Sequence, residues 1–127
     1  MEQPVTVDEI LKAADSLKPN SFTREEKVQW LTSFDGRIRR ELMDTHEGGT
    51  SEDFRPYDPE EGSRRLLVPR PYGPELYMSF LENAMDHYNG DTERYNNSLD
   101  RLSGVYRSFA RWYHRTHRPL GDKRKFW

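Results

Sequence analysis

Apolar residues recur at helical spacing in four stretches of the chain. Val7, Ile10, Leu11, Ala14 and Leu17 mark one face of a first helix. Thr6-Val7-Asp8-Glu9 opens it as a capping box, in which the Thr hydroxyl and the Glu carboxylate satisfy free backbone amides. Pro19 stops it, because the residue before a proline disfavours helical geometry. A second capping box, Thr23-Arg24-Glu25-Glu26, precedes Val28, Leu31, Phe34 or Asp35, Ile38 and Leu42, with Trp30 at the edge of the stripe. This pattern predicts a helix reaching Asp44, with Gly48-Gly49 beyond it. Leu76, Tyr77, Phe80, Leu81, Ala84, Met85 and Tyr88 predict a third helix that ends at Asn89-Gly90, and Pro74 suits its first position. Asp91 suits the N-cap of a fourth. There Tyr95, Leu99, Leu102, Tyr106, Phe109 and Tyr113 repeat at alternating spacings of four and three.

Residues 45–65 show no period. They hold Gly, Pro, Ser, Asp and Glu with single aromatics at Phe54 and Tyr57, the composition of a binding loop or a disordered insert. Leu66-Leu67-Val68 before Pro69 predicts one short extended segment, which needs an edge to pair with: the 45–65 loop or a neighbouring subunit. From Thr92 to His117 the last helix is roughly 39 Å long at 1.5 Å per residue. A compact globule of this size has a radius of gyration of about 14 Å, so that helix spans the domain or protrudes from it. Ser103-Gly104 near its middle marks a kink or a close approach by a neighbour. The expected fold is therefore mainly α. It is a small bundle of about four helices with a long C-terminal helix, one long irregular loop and a short extended segment. Residues 1–117 form the domain and residues 118–127 a tail.

Composition narrows the function classes. The chain has 127 residues and no Cys, so neither a disulfide framework nor a thiolate metal site is expected. No unbroken apolar run exceeds three residues, so no membrane span or signal segment is expected. Leu, Ile, Val and Phe are sparse, and the many rings only partly replace them. Such a thin core is often completed by a partner subunit. The net charge of −2 hides a dipole: residues 1–100 carry 12 basic and 21 acidic side chains, and residues 101–127 carry 8 basic and one acidic.

Candidate chemistry is scarce. His114 and His117 have a permitted ligand spacing, but Arg111, Arg115 and Arg118 around them would repel a dication, so no metal is expected. Glu82, Asp86 and His87 share a helix, where a solvated acidic face is the ordinary reading. No Gly-rich phosphate loop or nucleophile elbow occurs. No enzyme activity and no cofactor are expected.

The basic end is more informative. Arg107, Arg111 and Arg115 stack on one side of the last helix, and Arg101 and Arg118 extend the band. They either solvate a surface and pair with carboxylates elsewhere, or meet an acidic surface of another subunit, or meet a nucleic acid. A helix-turn-helix made of the first two helices is contradicted by the second helix, whose charges balance and whose first turn is acidic. The tail is either a frayed end or a docking peptide. Phe126 and Trp127 are anchor-type residues, and Lys123-Arg124-Lys125 would steer them to an acidic surface, which favours docking.

Four segments carry a family resemblance: "SLKPNSF", "EEKVQWLTSFDGRIRREL", "LLVPRPYGPELYMSFLENAMDHYNGDTERYNNS" and "FARWYHRTHRP". In these the chain resembles the small helical head–tail adaptor (connector) proteins of tailed bacteriophages and prophages, over most of its length and least across 45–65. The resemblance implies a structural virion protein of the neck, made in the host cytoplasm. About a dozen copies would form a cyclic ring beneath the portal, join capsid to tail, and leave a channel through which DNA passes without sequence-specific binding during ejection. It implies that Arg118, Leu120, Lys123, Arg124, Lys125, Phe126 and Trp127 dock on the portal protein. Arg107, Arg111 and Arg115 would lie at a subunit boundary or the channel. Phe54 and Tyr57 would belong to a loop facing a tail-side neck or stopper protein or a neighbouring adaptor. Two alternatives stay open: another neck or tail-completion protein, and a small helical nucleic-acid-binding regulator.

Overall fold

A computed structural model of the chain describes residues 4–46 and 54–119. It is a mainly α bundle of four helices: α1 (Val7–Leu17), α2 (Arg24–Ile38, continued by a π-helical turn, Arg39–Met43), α3 (Tyr72–Asn89) and α4 (Thr92–Thr116).

Caps set the helix starts. The Thr6 hydroxyl accepts from the Glu9 amide, while the Glu9 carboxylate turns away to Arg70. Thr23 and Glu26 form the full reciprocal box. Gly90 takes the left-handed conformation (φ 74°) that closes α3, and Asp91 caps α4 by accepting from the Arg94 amide. α3 begins at Tyr72, two residues before Pro74, on a cis Arg70–Pro71 peptide. Gly73 is required there, because a Cβ would collide with the Val68 carbonyl oxygen.

α3 is the central element. It touches α1 and α2, and its largest interface is the hairpin with α4. Tyr77, Leu76, Leu81 and Met85 of α3 are buried among Val7, Ile10 and Leu11 of α1, Val28, Leu31 and Ile38 of α2, and Phe109 of α4. Two lysines close gaps between helices. Lys27 is buried and donates to Asp15 (2.7 Å), and Lys18 reaches from the end of α1 to the buried Asp86 of α3.

Several expectations shift. Leu17, assigned to the buried stripe of α1, is 70% exposed. On α2 the choice between Phe34 and Asp35 is settled by burying both. On α4 the seam passes through the fully buried Ser98, and Leu99 is 37% exposed. Ser98 is held inside by Asn83, whose side-chain amide donates to its hydroxyl (3.1 Å) and to the Tyr95 carbonyl (3.1 Å). α4 runs unbroken through Ser103-Gly104, and a Cβ at Gly104 would meet nothing within 4 Å. The close approach that this glycine allows is unused among the described residues.

Residues 54–69 are held by bonds rather than by periodicity. Leu66-Leu67-Val68 forms no strand. Its surroundings pair with the N-terminal segment: the Leu66 amide donates to Val5 O (2.8 Å), the Val7 amide to Arg64 O (3.1 Å), and Thr6 and Arg65 form an isolated antiparallel bridge. Among the described residues its backbone pairing runs through residues 62–66 to residues 5–8, an edge the pattern did not point to.

Candidate interaction surfaces

The most organised polar group in the molecule is Asp35, on the inner face of α2. It is fully buried. One carboxylate oxygen accepts from the Tyr77 hydroxyl (2.6 Å); the other accepts from the Tyr57 hydroxyl and from the Leu67 amide (3.1 Å). Tyr77 in turn accepts from the Val68 amide (2.9 Å). Burial pushes the Asp35 carboxyl up to about 6, against the pull of its three hydrogen bonds. Burial beside Asp35 also raises both tyrosine hydroxyls, so they remain protonated donors. The arrangement ties α2, α3 and the 57–68 segment to one point. Closed to solvent, it can stabilise but cannot reach a substrate.

Tyr57 is therefore placed inside. Expected on a partner-facing loop, it is only 5% exposed, with the Arg64 guanidinium over its ring at 4.6 Å. Phe54 packs edge-on against it (centroids 5.6 Å apart) and is half-buried. Residues 47–53, just before Phe54, lie outside the described ones.

The arginine band of α4 has the opposite character. Arg107, Arg111, Arg115 and Arg118 are all exposed, and among the described residues none of them forms an ion pair. Arg101, at the other end of the band, is tied to Glu82 (2.9 Å). Asp86, expected on a solvated acidic face with Glu82, is instead buried against Lys18. The structure thus separates Glu82, Asp86 and His87 by role rather than gathering them into a catalytic set.

The band ends beside a pair of histidines. His46 Nδ1 lies 2.7 Å from the Leu42 carbonyl, so it carries the proton and donates. Its Nε2 then accepts from His114 Nδ1–H at 2.8 Å. An isolated bridge between His46 and Pro119 completes the corner. Among the described residues no group of three His, Cys, Asp or Glu stands close enough to hold a metal. His117 stacks on Tyr113 (centroids 3.8 Å apart), away from the ligand role weighed for it. Leu120, Lys123, Arg124, Lys125, Phe126 and Trp127 lie outside the described residues, so of the proposed docking set only Arg118 is placed.

Several open grooves flank α4, and two of them have aromatic walls. One, of about 280 Å³, runs between α2 and α4 and is lined by Phe34, Arg37, Leu99, Leu102, Tyr106 and Arg107. The other, of about 320 Å³, lies where α2, α3 and the start of α4 meet, and its walls are Trp30, Phe80, His87, Tyr88 and Tyr95. Asp35, the His46–His114 contact and this aromatic groove were not singled out as sites from the sequence. Asp35 alone left a signal, as a carboxylate on an apolar stripe.

The chain matches no protein-family model, no curated protein and no solved structure. No helix among the described residues is long and apolar enough to cross a membrane.

Proposed function

We propose that this chain is a structural head–tail adaptor of a tailed bacteriophage or prophage. It acts as a ring-forming protomer that sits beneath the portal and leads to the tail. The observation that carries the reading is the unanswered arginine band. Arg107, Arg111 and Arg115 stand on the outer face of a helix about 37 Å long, lead into a basic, aromatic-ended tail, and have no carboxylate partner among the described residues. A charge this concentrated is met by something outside the protomer. The net −9 of residues 1–100 offers one such surface on the next copy, which favours heterologous contacts that close into a ring. The family resemblance supplies the portal and tail as the further partners.

Coexpression with a portal protein from the same source tests this. The expected result is a portal purified with a ring of this chain on its tail-facing side. A portal that purifies without the chain at every salt concentration overturns the reading.

The same band also suits a phosphate backbone, which keeps a nucleic-acid-binding role as the second reading. Three phosphate contacts would give a log–log salt slope of about −3 on duplex DNA. Binding without salt dependence, or no binding, removes it.

A further inference from the structure

At the far end of α4 from the arginine band, the aromatic groove offers a seat of complementary chemistry. We infer that this groove takes the Lys123–Trp127 segment of a second copy of the chain. Trp30 and Tyr88 lie parallel there, with centroids 5.1 Å apart and planes 2° apart, and Phe22 meets both edge-on. Tyr88 is 61% exposed, so a large ring is held in place with one side open to solvent. Aromatic pockets of this kind accept aromatic anchors and, on their ring faces, cations.

The rim supplies charge of the needed sign. Through His87 and Tyr95 the groove continues into a smaller hollow bordered by Asp86, which Lys18 already neutralises, and by Asp91, which caps α4 and pairs with Arg94 (3.4 Å) but stays partly exposed. Glu26 stands one turn before Trp30 on the same side of α2. A segment reading Lys-Arg-Lys-Phe-Trp matches both halves: cations toward Asp91 and Glu26, rings toward Trp30 and Tyr88.

Chain length decides whose segment it is. Pro119 is anchored at His46. Along α2 that corner is about 24 Å from Trp30, and along α4 about 32 Å from Tyr95. To set Lys123, Arg124 and Lys125 at Glu26 of the chain's own groove, about 30 Å from that corner along α2, the six residues Leu120–Lys125 would have to span that separation, and six extended residues reach about 20 Å. The occupant therefore comes from another copy. The contact joins one end of a protomer to the opposite end of the next, the heterologous geometry that generates rings or open chains. It needs no portal, and it assigns the tail to a neighbouring copy instead of the portal docking that the family resemblance implies for it.

Sedimentation velocity of the purified full chain tests the inference. The wild type is expected to self-associate beyond a dimer, less so at high salt. Tyr88→Ala removes an exposed ring, and a variant carrying both Phe126→Ala and Trp127→Ala removes the anchors. Each is expected to weaken self-association at least about tenfold while keeping the helical circular dichroism of the parent. Mixing the two variants restores one intact groove and one intact tail, so heterodimers form and grow no further. A wild type that stays monomeric at all concentrations, a Tyr88→Ala protein that associates like the wild type, or a mixture that forms no heterodimer each overturns the inference. None of these outcomes depends on portal binding, so the adaptor reading stands or falls separately.

Discussion

Asp35 and the arginine band of α4 put charge to opposite uses. Asp35 is a single buried carboxylate with three donors aimed at it from three places in the chain. Arg107, Arg111 and Arg115 are exposed cations with no ion-pair partner among the described residues. The first is spent entirely inside the protomer, and its removal is a folding event. The second forms no ion pair among the described residues, and under the proposed reading its consequence lies with what the protomer meets. This contrast separates what builds the domain from what the domain presents.

The comparison breaks first at Asp35. Replacing it with Ala strands three buried donors and is expected to cost about 3–5 kcal/mol, a large share of the stability of a small domain. Urea denaturation followed by circular dichroism measures it, and an unchanged midpoint would refute the folding role.

The pH dependence is next in size. The folded-state value near 6 exceeds the ordinary 3.8, so the folded protein holds the Asp35 proton more tightly than the unfolded chain does. The stabilisation is full below about 4 and is lost as pH rises through about 6, a swing of about 3 kcal/mol. Asp35→Asn cannot titrate there. Its stability should fall less than that of the wild type between pH 4 and 6, as chemical melts at several pH values would show. Parallel curves for the two proteins would mean that Asp35 is ionised throughout.

Tyr77→Phe sharpens the same region, since it removes a donor to Asp35 and the acceptor of the Val68 amide. A loss of about 1–3 kcal/mol is expected, again from denaturation. The smallest effect belongs to the other side of the contrast. Converting Arg107, Arg111 and Arg115 to Gln should move stability by no more than about 0.5 kcal/mol. A larger loss would show that the band serves the protomer after all.

The contrast also marks what one helix's pattern reveals. The four helices, three of their caps and most of the core follow from spacing alone, because a buried stripe repeats with the helix that carries it. What escaped depends on pairing between distant segments. Ser98 reads as polar and Leu99 as core until Asn83 on α3 satisfies the serine and turns the helix toward it. Asp35 reads as an alternative to Phe34 because Tyr57 and Tyr77 are remote in sequence. Tyr57 itself reads as a loop aromatic, since nothing near it signals a buried partner. Leu17 reads as core because its spacing is right, yet it is the last residue of α1 and lies beyond the cover of the other helices. The arginine band was legible for the opposite reason: its meaning within the protomer needs no second segment.

The proposed adaptor role is tested most directly by a cryo-EM reconstruction of the neck of tailed particles produced by the source of this chain. The account predicts a ring of these four-helix protomers directly beneath the portal, with the basic end of α4 buried against another subunit or the portal. A neck without this chain, or a ring in which Arg107, Arg111 and Arg115 all face open solvent, would contradict it.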